Sequence, residues 1–98
     1  MLTQIQQSQS ALREICGRRH VRRLELFGSA ARGDFSSDSD LDFLVEFENT
    51  PDLKNYFGLK EDLQALFDRP VDLVMPQAVR NPYIRAAIAR DRQLLYAA

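Results

Sequence analysis

Cysteine and histidine occur once each in the 98 residues, as Cys16 and His20, and that scarcity removes several chemistries together. A single cysteine cannot form a disulfide within the chain, which suits a reducing, cytoplasmic setting. One Cys and one His supply no nucleophilic triad, and His20 has no Cys or His neighbour with which to share a metal. No apolar run is long enough for a membrane span or the core of a secretory leader. A basic excess is missing too: the net charge is −1, which argues against nucleic acid as a direct partner. Internal repeats, low-complexity tracts and linkers are also absent. With 45% hydrophobic residues, the expectation is one globular domain over residues 1–98, too small for a second. An acceptor site for any reaction would then be shallow or supplied by a partner.

The charge that is present is unevenly placed. Residues 1–33 carry six basic and two acidic side chains, residues 34–72 three and eleven, and residues 73–98 four and one. The middle of the chain therefore suits cations, and its flanks suit anions. The basic cluster Arg18-Arg19-His20-Val21-Arg22-Arg23 reads most simply as a charged helix end favoured by the helix dipole, with a docking patch for an acidic partner as the alternative.

Periodicity predicts a helix over residues 3–18, with Ile5, Leu12, Ile15 and Cys16 on one face and Gly17 near its end. A strand follows over 21–27 and another over 40–47, where Leu41, Phe43, Val45 and Phe47 alternate with the rest. Thr50 and Pro51 look like the N-cap and first residue of a helix whose stripe, Leu53, Tyr56, Phe57, Leu63, Leu66 and Phe67, is read as core. Arg69-Pro70 ends it, and a strand over 71–75 places Val71, Leu73 and Met75 on one face and Asp72 on the other. Asn81-Pro82 opens a last helix carrying Ile84, Ala87 and Ile88. Gln93-Leu94-Leu95-Tyr96 is an edge strand or coil.

The chemistry concentrates between residues 27 and 42. Gly28 closes the first strand and permits a sharp turn with close backbone approach to a ligand. Ser29 stands where a helix N-cap would, ahead of Ala30, Ala31 and Arg32 in a short helix over 29–33, so free N–H groups and a hydroxyl face an anion. Arg32 either touches phosphate or lies in solvent. Asp40 and Asp42 share a strand face roughly 6.6 Å apart, repel one another, and favour a cation between them. Mg²⁺ takes a few carboxylates plus substrate phosphates, as offered here. A calcium loop beginning at Asp38 fails, because its sixth and twelfth positions hold Phe43 and Asn49 rather than Gly and Glu. Asp34 and Asp38 read as loop solvation, and Ser39 as a loop cap.

Gly28-Ser29, ten residues, then Asp40-Leu41-Asp42 resembles the Gly-Ser-x10-Asp-x-Asp signature of the DNA polymerase beta nucleotidyltransferase superfamily. The run GSAARGDFSSDSDLDFLVEF is similar to the minimal nucleotidyltransferases (MNT), antitoxin partners of HEPN toxins. The resemblance covers most of the chain. It implies an α+β fold, a small mixed sheet with helices packed on one face, and it implies that Gly28 and Ser29 bind the triphosphate. A third acid from a later strand is expected, for which Asp72 is the candidate. Two Mg²⁺ ions would then lie on Asp40, Asp42 and Asp72, and AMP would pass from ATP to a tyrosine of a partner HEPN toxin. Two alternatives remain: an antitoxin that neutralises by binding alone, and transfer to a small molecule such as an aminoglycoside.

Overall fold

A computed structural model describes residues 5, 7–28, 40–49, 52–76 and 79–98. Its elements run α1 (Gln9–Arg18), β1 (Val21–Phe27), β2 (Leu41–Phe47), α2 (Leu53–Phe67), β3 (Val71–Val74), α3 (Pro82–Asp91) and β4 (Gln93–Ala97). The four strands form one mixed sheet in the order β3-β2-β1-β4, with β2 and β3 parallel and the other pairs antiparallel. The tail is thus an edge strand.

Strand β1 has the predicted bounds, but its apolar residues do not alternate: Val21, Leu24 and Leu26 are all buried in one core. A register shift between Val21 and Arg23 resolves this, because an extra residue returns Val21 to the face of Leu24 and Leu26. Their partners across the sheet are Phe47, Val45 and Phe43, and Phe43 is in turn beside Leu73. This face receives Leu12, Ile15 and Cys16 of α1 and Leu59, Leu63 and Phe67 of α2. The rings of Phe43 and Phe67 stack with centroids 6.0 Å apart.

Several helix details depart from expectation. Ile5 and Gln7 are helical within the expected span, but a turn at Ser8 (φ −101°, ψ 12°) separates them from α1, which begins at Gln9; Ile5 is buried all the same. Gly17 stays helical, and the left-handed residue after α1 is His20 (φ 60°), a residue type that tolerates that region better than most. Helix α2 is capped by Asp52, whose carboxylate accepts from Asn55 N–H at 2.7 Å, rather than by Thr50; Thr50 and Pro51 lie outside the described residues. Its buried stripe is Leu59, Leu63 and Phe67, with Tyr56 and Leu66 at the margin. Leu53 and Phe57, expected in the core, are 74% and 51% exposed. The reason is rotational: a face centred on 59, 63 and 67 advances by four residues, and Leu53 and Phe57 fall off its side.

The basic cluster after α1 is partly a structural clamp. Arg19 Nε and Arg18 Nη2 donate to Asp62 on α2 at 2.9 and 3.2 Å. Gly58 makes room for the Arg19 guanidinium, since a β-carbon there would stand less than 3.0 Å from it.

Helices α1 and α2 thus give the expected backing on one face. Helix α3 opens as predicted, with Asn81 accepting from Tyr83 N–H at 2.9 Å and Pro82 in the first turn. Its buried Ile88 joins Leu44 in the wall of a cavity on the other face, the side on which Asp42 stands.

Candidate active site

Three neighbouring strands deliver one row of groups to one end of that second face. The end of β1 pairs Phe27 with Asp42 of β2, and Asp42 pairs in parallel register with Asp72 of β3. Neighbouring strands lie about 4.8 Å apart, so the two carboxylates stand side by side. Asp42 is half-buried, whereas Asp72 and Asp40, the latter just ahead of β2, are exposed.

Gly28 closes the other side of Asp42. Its φ is +77°, a left-handed conformation that a β-carbon penalises, and a β-carbon there would lie 3.3 Å from Asp42 Cγ and under 3.0 Å from Oδ2. Backbone and carboxylate are therefore packed as closely as a glycine allows. Burial pushes the Asp42 carboxyl above the usual range, and the charges of Asp72 and Asp40 push it the same way. Among the described residues, no three His, Cys, Asp or Glu side chains converge as they stand into a group able to hold a metal ion. Of the other residues expected to take part, Ser29 and Arg32 lie outside the described residues, as do Asp34, Asp38 and Ser39.

Pattern reading passed over a second charged group on this face. Glu25, across from Leu44, is buried to 3% exposure, and Arg92 at the end of α3 holds it with two hydrogen bonds, Nε to Oε2 at 2.6 Å and Nη2 to Oε1 at 2.5 Å. Arg23 adds a third at 2.9 Å. The Arg92 hydrogen bonds hold Glu25 below the usual glutamate range despite burial, with the charges of Arg92 and Arg23 acting in the same sense. The available signal was an acid at the centre of an apolar strand, between Leu24 and Leu26. This clamp fixes the end of α3 over the middle of the sheet and leaves the Asp42–Asp72 end open.

The nucleotidyltransferase domain model matches residues 10–95, and the chain belongs to that family. It is 44% identical over 71 residues to a Methanocaldococcus jannaschii chain provisionally named a protein adenylyltransferase, covering 72% of each. With the protein adenylyltransferase MntA of Thermococcus cleftensis it shares 37% identity over 84 residues, 86% of this chain and 82% of that one. A solved structure provisionally identified as a minimal nucleotidyltransferase matches with TM-score 0.75 at 34% identity, over 90% of this chain and 89% of the other. The fold is also shared with a chain from the structure of tri-AMPylated Shewanella oneidensis HEPN toxin in complex with MNT antitoxin (TM-score 0.68, 19% identity, 96% of this chain and 73% of that one).

Proposed function

We propose that this chain transfers AMP from ATP to a tyrosine hydroxyl of a HEPN-type toxin and thereby acts as its antitoxin. The observation that carries the reading is the Gly28–Asp42–Asp72 row, in which a backbone wall meets a carboxylate that is costly to ionise without a cation. The named activity of the relatives and the AMPylated toxin in the related complex support the choice of nucleotide and acceptor.

Asp40, Asp42 and Asp72 would hold Mg²⁺, which takes hard carboxylate oxygens together with substrate phosphates. When bound, two such ions neutralise charge on the phosphates and on the attacking and leaving oxygens. Gly28, Ser29 and Arg32 hold the triphosphate tail. The acceptor oxygen bonds to the α-phosphorus as the bond to the bridging oxygen of the β-phosphate breaks, and pyrophosphate leaves. Asp72, exposed at the edge of the row, receives the hydroxyl proton.

Labelled ATP, Mg²⁺ and the protein encoded beside this chain provide the test. Label should reach a tyrosine of that protein, transfer should vanish with EDTA, and Asp42→Ala should abolish it. Undiminished transfer by Asp42→Ala would sink the reading. If Asp40→Ala/Asp42→Ala still neutralises the toxin, protection is by binding and not by transfer.

A further inference from the structure

We infer that the cavity between the sheet and α3 seats the nucleoside of the transferred nucleotide, with Glu46 selecting a base that carries an exocyclic amine. This rests on the transfer reading above and adds a site to it. The cavity measures about 390 Å³ and is walled by Leu44, Pro76, Val79 and Ile88, with Glu46 and Arg92 among its polar groups. That volume and that mix of apolar walls with few polar groups fit a small-molecule site.

Direction decides the occupant. Gly28, just past the end of β1, packs against one side of Asp42, and Asp72 stands in register with Asp42 on the other, so the three run across the strands. With pyrophosphate leaving on the Gly28 side, the acceptor must approach from the Asp72 side, because attack and departure are in line at phosphorus. The ribose oxygen and the two non-bridging oxygens then lie in the plane at right angles to that axis, and the strand direction is in that plane. Leu44 and Glu46 share the face of Asp42 two and four residues further along β2, about 7 and 13 Å away at strand spacing. A nucleoside leaving the α-phosphate in that direction reaches the mouth of this cavity and no other described one lined by β2.

The lining matches a base. Leu44 and Ile88 offer apolar contact to the ring, and the planar guanidiniums of Arg85 and Arg92 can stack on it. Arg92 is already held in place by Glu25. The half-buried Glu46 carboxylate accepts hydrogen bonds only, so it favours the amine of adenine over the carbonyl of hypoxanthine at the same ring position.

Ala89 lines the cavity from the exposed side of α3, so Ala89→Phe fills it without touching the core. Binding to the whole chain is measured by calorimetry in Mg²⁺ with two probes, AMP-PNP and inorganic tripolyphosphate. Ala89→Phe should weaken AMP-PNP by at least about tenfold and leave tripolyphosphate unchanged. Wild type should prefer ATP to ITP by about tenfold, and Glu46→Gln should erase most of that preference. AMP-PNP bound equally well by Ala89→Phe and wild type overturns the assignment, and if transfer to the partner falls at the same time, the cavity holds the acceptor side chain instead. A wild-type chain that binds neither probe overturns the transfer reading itself.

Discussion

Gly28→Ala is the sharpest perturbation of the proposed site, because the new methyl acts on backbone and carboxylate together. At φ +77° an alanine costs roughly 1–2 kcal/mol for the left-handed conformation alone. Its β-carbon also lands under 3.0 Å from Asp42 Oδ2, so the carboxylate must shift by the order of 1 Å to restore ordinary contact. For a domain of this size, a loss of that order lowers the melting temperature by roughly 4–16 °C. Misplacement by about 1 Å at a reacting centre costs about 100-fold in rate, so transfer should fall much further than stability does. Gly28→Asn separates the two effects: asparagine tolerates the left-handed region, so part of the stability returns, whereas the β-carbon still displaces Asp42 and transfer stays low. In Gly28→Ala/Asp42→Ala the collision disappears, and the stability losses should combine to less than their sum. Thermal melts and label transfer on wild type, these three variants and Asp42→Ala alone decide the matter. A Gly28→Ala chain that melts with wild type and transfers AMP at the wild-type rate would refute the close packing argued here.

Asp42→Asn removes a carboxylate that burial and two neighbouring acids make costly to ionise, so in the absence of magnesium it should stabilise the fold by roughly 0.5–2 kcal/mol while eliminating transfer; a less stable variant in denaturant titration contradicts this. Glu25 has its carboxyl held down by Arg92, so the stability it supplies is complete above the usual glutamate value near 4.3 and is lost as pH falls through its lower folded value. Glu25→Gln should therefore lose less stability than wild type between pH 7 and pH 3, and parallel urea midpoints would contradict the pairing of Glu25 with Arg92 and Arg23. Cys16 is buried, with its thiol pushed up to about 12, so a disulfide reagent should label it only as fast as the chain unfolds. Leu59→Ala should cost about 2–5 kcal/mol, whereas Leu53→Ala should fall within about 0.5 kcal/mol of wild type; equal losses in chemical denaturation would restore Leu53 to the core.

The stripe on α2 marks where local reading stops. Leu53 and Phe57 have the hydrophobicity and helical phase of core residues, and which sector of a helix meets the sheet depends on where that helix crosses it, which periodicity does not contain. The capping residue erred for a related reason: Thr50-Pro51 and Asp52 both carry N-cap signals within one turn, and the hydrogen bond to Asn55 selects the latter. In β1 the bulge was hidden because an inserted residue is invisible until a partner strand supplies the register.

What the amino-acid order determined by itself were the features whose causes lie within a few residues: the bounds of β1, the Asn81-Pro82 helix start, and the spacing of Gly28-Ser29 to Asp40-x-Asp42 that marks the family. Tertiary structure alone decided that Asp72, thirty residues from Asp42, stands beside it, because parallel register is set by how α2 carries the chain from β2 to β3. It alone laid α3 across the same face, where Arg92 reaches a glutamate sixty-seven residues away and closes a cavity beside the acids. Short-range steric and capping preferences act through neighbours in sequence, whereas the meeting of distant side chains follows from how strands and helices pack, which no local pattern records.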